Sequence, residues 1–159
     1  MKRRKFLQNA SLSSLGVVAS ASVIGCKNST KNNSGYTSGN SAIKPIVIAT
    51  WKTPNATAKA WEVLQNGGSS LDAVEKGCMI EEADVKNSSV GKGGFPDRDG
   101  NVTLDACIMD KDGNYGAVMC VQNITHVISL ARKVMEKTPH VILAGDGAEK
   151  FGYEQGFEK

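Results

Sequence analysis

Scarcity narrows the chemistry of this 159-residue chain before any motif is read. Aromatics are few, at 6%, and no basic stripe is interleaved with them, so a stacking platform for single-stranded nucleic acid is excluded. The only histidines are His126 and His140, and neither has a partner at metal-ligand spacing. Of four cysteines, none forms a C-x-x-C pair, which argues against a zinc knuckle or a disulfide framework. Cys78, Cys107 and Cys120 lie in apolar surroundings and read as buried core thiols. No apolar run is long enough to span a bilayer as a helix.

The formal charge of +3 is carried by the front of the chain. Lys2, Arg3, Arg4 and Lys5 precede any acidic residue, and without them the balance is about −1. A mildly apolar, serine-diluted stretch follows through Ile24, so residues 1–26 read as an export signal. Arg3-Arg4 ahead of Lys5-Phe6-Leu7 gives it a twin-arginine character. Val23-Ile24-Gly25-Cys26 resembles a bacterial lipoprotein cleavage box, with Cys26 as the lipidated residue of the mature protein. Residues 27–44 carry little apolar surface to offset ordering entropy and read as a flexible tether. The implied location is periplasmic or membrane-anchored.

From residue 45 the pattern becomes that of a folded domain running to 159. Pro45-Ile46-Val47-Ile48-Ala49-Thr50-Trp51 is nearly continuously apolar and predicts a central strand. Thr53-Pro54 opens a helix closed by Gly67-Gly68, and Ser69 with Asp72 at capping-box spacing opens a second. Leu71, Val74 and Cys78 are the expected buried face of that second helix. A glycine-rich loop carries Ser89-Val90-Gly91-Lys92-Gly93-Gly94, in which a binding role competes with a turn. Val102–Ile108 and Tyr115–Val121 alternate as strands around the turn chemistry of Asp110–Asn114. A helix over Val127–Met135 and a buried strand over His140–Ala144 then lead through Gly145-Asp146-Gly147 into a last short helix. Helices layered on a mixed sheet, of α+β or layered α/β class, are the expected architecture.

Several of these segments occur in the same order in the glycosylasparaginases, a family of N-terminal-nucleophile (Ntn) hydrolases. They are the strand ending Ala49-Thr50-Trp51, Leu71–Gly77, Ser89–Gly94, Thr103–Ala106, Ala131–Val141 and Gly145-Asp146-Gly147. The chain after the tether resembles the α-subunit of such an enzyme. The resemblance implies the N-terminal half of a four-layer αββα sandwich and an amidohydrolase that cleaves the N4 amide of glycosylated L-asparagine. Attack would come from an N-terminal threonine, its own α-amine acting as base, with no metal or organic cofactor. Relatives that hydrolyse L-asparagine or β-aspartyl peptides supply the alternative activity. A surface lipoprotein that keeps the half-fold for binding alone is the non-enzymatic alternative.

The resemblance further implies that Trp51 lines the substrate pocket and that Ser89 lies close to the nucleophile. Lys52–Pro54 depart from the family, which has an aromatic residue two positions after the tryptophan. No threonine in this chain follows an Asp or a Gly, as the nucleophile of the relatives does. The nucleophile is therefore expected on a β-subunit from the same precursor, in an (αβ)2 heterotetramer, and this chain alone is expected to be inactive. Glu75, Asp105 and Asp146 have acid–base character but match positions that are structural in the family. Asp97-Arg98-Asp99-Gly100 reads as a charged turn.

Overall fold

The computed structural model describes residues 44–159; the export signal, Cys26 and the tether up to residue 43 lie outside the described residues. Helix α1 (Pro54–Gln65) begins with proline where a free N–H would have no helical acceptor, and Thr53 occupies the N-cap position. The Thr53 hydroxyl turns back to the Trp51 carbonyl and does not cap the helix. Gly67, at φ +80°, ends the helix in the left-handed conformation. Helix α2 (Ser70–Ala83) starts on the full capping box: the Ser69 hydroxyl accepts from the Asp72 N–H, and the Asp72 carboxylate accepts from the Ser69 N–H.

The two helices approach closely because of Gly77. A Cβ there would stand 2.9 Å from the Ala56 carbonyl oxygen and 3.3 Å from the Ala60 methyl. The contact face of α2 is thus made by Ala73 and Gly77, and Val74, expected inside, is half exposed. Small residues set this spacing, which a pattern of large apolar residues does not reveal.

Strands β1 (Leu104–Met109) and β2 (Tyr115–Val121) form the expected antiparallel hairpin. Asp110 builds its turn by accepting from the N–H groups of Asp112 and Asn114 and from the Asn114 side chain. Near the open end the register slips between Leu104 and Ala106, where Met119 and Cys120 face Asp105 alone. Cys120 adopts φ 55°, the only non-glycine residue with positive φ among those described. The Asp105 carboxylate accepts the Cys120 N–H at 2.8 Å and replaces the missing ladder bond.

Helix α3 (Val127–Lys137) crosses β1 and β2, and strand β3 (Ile142–Ala144) then pairs parallel with β2, giving the order β1-β2-β3. Gly116 lets α3 onto the sheet, because a Cβ there would collide with the Ala131 carbonyl oxygen. Helix α4 (Gly145–Glu154) completes the fold. The core is Ile108, Val118 and Val121 from the sheet with Ile124, Leu130, Ala131, Val134 and Ala148. Helices and a small mixed sheet make this an α+β fold.

Three expectations are corrected. Residues 45–51 pair with no strand among the described residues; Ile46 and Ile48 lie exposed, because an apolar run becomes a strand only where a ladder partner exists. The strand over His140–Ala144 shrinks to Ile142–Ala144 and is half exposed, since it pairs on one side and only its Leu143 packs toward the core. Cys107 and Cys120 are exposed and Cys78 is only partly buried. Cys107 sits on the sheet face away from α3, alongside Met109, Tyr115, Met119 and Ile142, all of them exposed.

Candidate functional site

Trp51 follows the extended segment and precedes α1. Its side chain is 77% exposed, and its carbonyl oxygen accepts the Thr53 N–H at 2.8 Å. The geometry therefore excludes a buried aromatic cap and presents the indole at the surface. Ser89 is exposed in the loop after α2, where its N–H donates to the Asn87 side chain at 3.0 Å. Among the described residues, neither the Trp51 indole N–H nor the Ser89 hydroxyl forms a hydrogen bond. A groove of about 440 Å³ between the hairpin turn and the end of α3 includes neither residue.

The glycines beside Ser89 have a structural reason. Gly91 has φ +62°, and a Cβ on it would collide with the Glu82 carbonyl oxygen. A Cβ on Gly93 would collide with the Asn87 carbonyl oxygen. The loop thus lies directly on the end of α2, making a short 3-10 turn over Gly91–Gly93. Asn87 secures the same segment by donating to the Glu81 carboxylate at 2.9 Å. Close packing fixes the position of Ser89.

The tempting acids are occupied. Glu75, buried on α2, accepts from Arg132 of α3 at 2.7 Å, as does Asp72 at the same distance. Arg132 also donates to Glu136, one turn on. The Ser69 hydroxyl first, and then Arg132, hold the Asp72 carboxyl down at about 2. Asp105 serves the strand bulge. Asp146 lies exposed in the first turn of α4, where a carboxylate suits the helix dipole. Asp97 accepts the N–H groups of Asp99 and Asn101, so the turn through Gly100 is as expected.

Two buried acids went unread in the sequence. Glu82 of α2 accepts the Ile128 N–H at 2.9 Å and faces His126 Nδ1 at 3.2 Å, capping α3 from another helix. Glu149 of α4 accepts from the N–H groups of Gln122 and Asn123, from the Asn123 side chain and from the Tyr153 hydroxyl. No local spacing marks either role, because the backbone N–H groups they hold lie 26 to 46 residues away along the chain. Among the described residues, no group of three His, Cys, Asp or Glu side chains is placed to hold a metal.

The sequence model of the family Asparaginase_2, described as asparaginase, matches residues 34–159. The chain belongs to this asparaginase family. An N(4)-(beta-N-acetylglucosaminyl)-L-asparaginase of Elizabethkingia miricola is 58% identical over 117 residues, covering 73% of this chain and 34% of that protein. The protein of that name from Rattus norvegicus is 49% identical over 114 residues, covering 71% of this chain and 33% of its own length. A probable isoaspartyl peptidase/L-asparaginase of Arabidopsis thaliana is 36% identical over 113 residues, covering 70% and 32%. The chain thus spans about a third of the length of these relatives.

Proposed function

We propose that this chain is the α-subunit part of an amidohydrolase that cleaves the N4 amide bond between L-asparagine and N-acetylglucosamine. The supporting observation is the 58% identity to an N(4)-(beta-N-acetylglucosaminyl)-L-asparaginase across the folded part, against 44% and 36% to relatives named isoaspartyl peptidase/L-asparaginase. On this reading a β-subunit from the same precursor brings the N-terminal threonine. The threonine hydroxyl attacks the side-chain carbonyl, the glycosylamine leaves, and water releases aspartate from the acyl-enzyme. Trp51 and Ser89 are the contributions of this chain: an exposed indole face for the substrate and a free hydroxyl on a loop fixed by glycine packing. The assembly would be an (αβ)2 heterotetramer.

The leader belongs to the same reading. Arg3-Arg4, the weak apolar stretch, Val23–Cys26 and the polar tether give an exported protein anchored through lipid on Cys26. Mass spectrometry of the mature N-terminus from a bacterial host should find a diacylglyceryl Cys26, and Cys26→Ser should move the protein to the soluble fraction. An unmodified N-terminus within residues 27–41 would mean ordinary signal cleavage and a soluble periplasmic protein.

The activity is tested by co-expressing this chain with the C-terminal two-thirds of the Elizabethkingia miricola relative. The assay offers aspartylglucosamine, L-asparagine and a β-aspartyl dipeptide. The complemented protein should prefer aspartylglucosamine, and this chain alone should turn over none of the three. A preference for the β-aspartyl dipeptide would replace the reading with the peptidase alternative. Trp51→Ala in the complemented protein should raise KM about tenfold, since a largely exposed indole is placed to contribute to binding more than to the core.

A further inference from the structure

The segment Gln122–His126 joins β2 to α3, and it is fastened at each end by a buried carboxylate from a different helix. At its start Glu149 of α4, 8% exposed, accepts the Gln122 N–H at 2.7 Å, the Asn123 N–H at 3.2 Å and the Asn123 side chain at 2.9 Å. At its end Glu82 of α2, 5% exposed, accepts the Ile128 N–H and faces His126 Nδ1. His126 stands at the N-cap position of α3 without capping it, so Glu82 supplies the missing acceptor. Ile124, between the two fastenings, is fully buried in the core.

We propose that Gln122–His126 is a pH-sensitive strap whose two ends loosen on opposite sides of a stability maximum. The ends differ in what surrounds the carboxylate. Around Glu149 are only donors: two backbone N–H groups, the Asn123 amide and the Tyr153 hydroxyl. Burial raises its titration, but these donors outweigh burial and hold it below the usual carboxylate range. Around Glu82 the balance reverses, because burial dominates over the Ile128 N–H and His126. Glu75 and Cys78 share its helix, and Glu75 is also engaged by Arg132 of α3. Glu82 therefore titrates above the usual range.

Linkage sets the sign at each end. Glu149, depressed in the fold, lends stability that is present above the unfolded carboxylate value and lost as pH falls through its folded value. Glu82, raised in the fold, lends stability that is present below the unfolded value and lost as pH rises through its folded value. Each end follows at most one proton, about tenfold in the local opening equilibrium per pH unit.

The test uses the full chain and reads amide exchange at Gln122, Asn123 and Ile128 between pH 3 and 9, corrected for the intrinsic pH dependence. In the unaltered chain, protection of Gln122 and Asn123 should fall on the acid side and that of Ile128 on the alkaline side. Glu149→Gln should flatten the acid limb alone, and Glu82→Gln the alkaline limb alone. His126→Asn leaves the Glu82–Ile128 bond in place and removes a group that lowers Glu82, so it should move the alkaline limb to higher pH; this gives a second reading should Glu82→Gln fail to fold. Limbs that survive unchanged in Glu149→Gln and in either alkaline-side variant would overturn the proposal, as would parallel protection at all three amides in the unaltered chain.

Discussion

Two glycines that look alike in the sequence should behave differently when an alanine replaces them. Gly113, in the hairpin turn, has φ +84° and nothing within 4 Å of where a methyl would sit, so alanine there meets only left-handed backbone strain, about 1 kcal/mol. Gly116 is pressed against the α3 backbone, where the neighbouring carbonyl and N–H cannot move independently of the helix. Gly116→Ala should cost more, at about 3 kcal/mol, because the helix must lift off the sheet. Urea denaturation of the two variants should rank them in that order. Thiols give a second ranking. Cys107 and Cys120 are exposed, whereas burial pushes the Cys78 thiol up, so an alkylating reagent mapped by mass should modify Cys78 last. Arg132 supplies a third test. Arg132→Met leaves Glu75 buried without its cation and should destabilise the fold by about 3 kcal/mol. Asp72 should rise from about 2 in that variant yet stay below the ordinary 3.8, because its largest stabiliser, the Ser69 hydroxyl, remains. In the unaltered chain the stability that Asp72 lends is present above the ordinary value and lost as pH falls through about 2.

Helix starts and turns were the most legible elements, because their chemistry is local. Ser69 and Asp72 announced the capping box, and Asp110 with Gly113 announced the hairpin turn. Ser69→Ala should remove about 1 kcal/mol and fray the first turn of α2, measurable as lost amide protection at Ala73. What the sequence left hidden depended on partners far along the chain. The run Ile46–Ile48 has strand composition, but composition supplies no ladder. The same holds for Val74, which has the right residue type on the wrong side of a helix whose contact face is glycine and alanine. At the candidate site, Trp51 and Ser89 were legible only through family resemblance. Their exposure was not legible, and neither were Glu82 and Glu149, whose roles rest on contacts made by remote backbone N–H groups.

At the scale of the whole molecule, the polar interior is complete while the apolar surface is open. Among the described residues no buried side-chain polar atom lacks a partner, yet Met109, Tyr115, Met119 and Ile142 stand exposed on one sheet face. The chain alone should bind a dye that reports apolar surface, and the complemented protein should bind less; equal binding would show that this face stays open in the assembly. The long reach of Arg132 bears on the order in which these parts come together. Its partners Asp72 and Glu75 lie 60 and 57 residues back, whereas α1 and α2 meet across a four-residue turn. Closing the longer loop costs entropy before its ion pairs form, so the helical hairpin should be made early and docked late. In kinetic terms, Arg132→Met should then speed unfolding and leave the folding rate nearly unchanged.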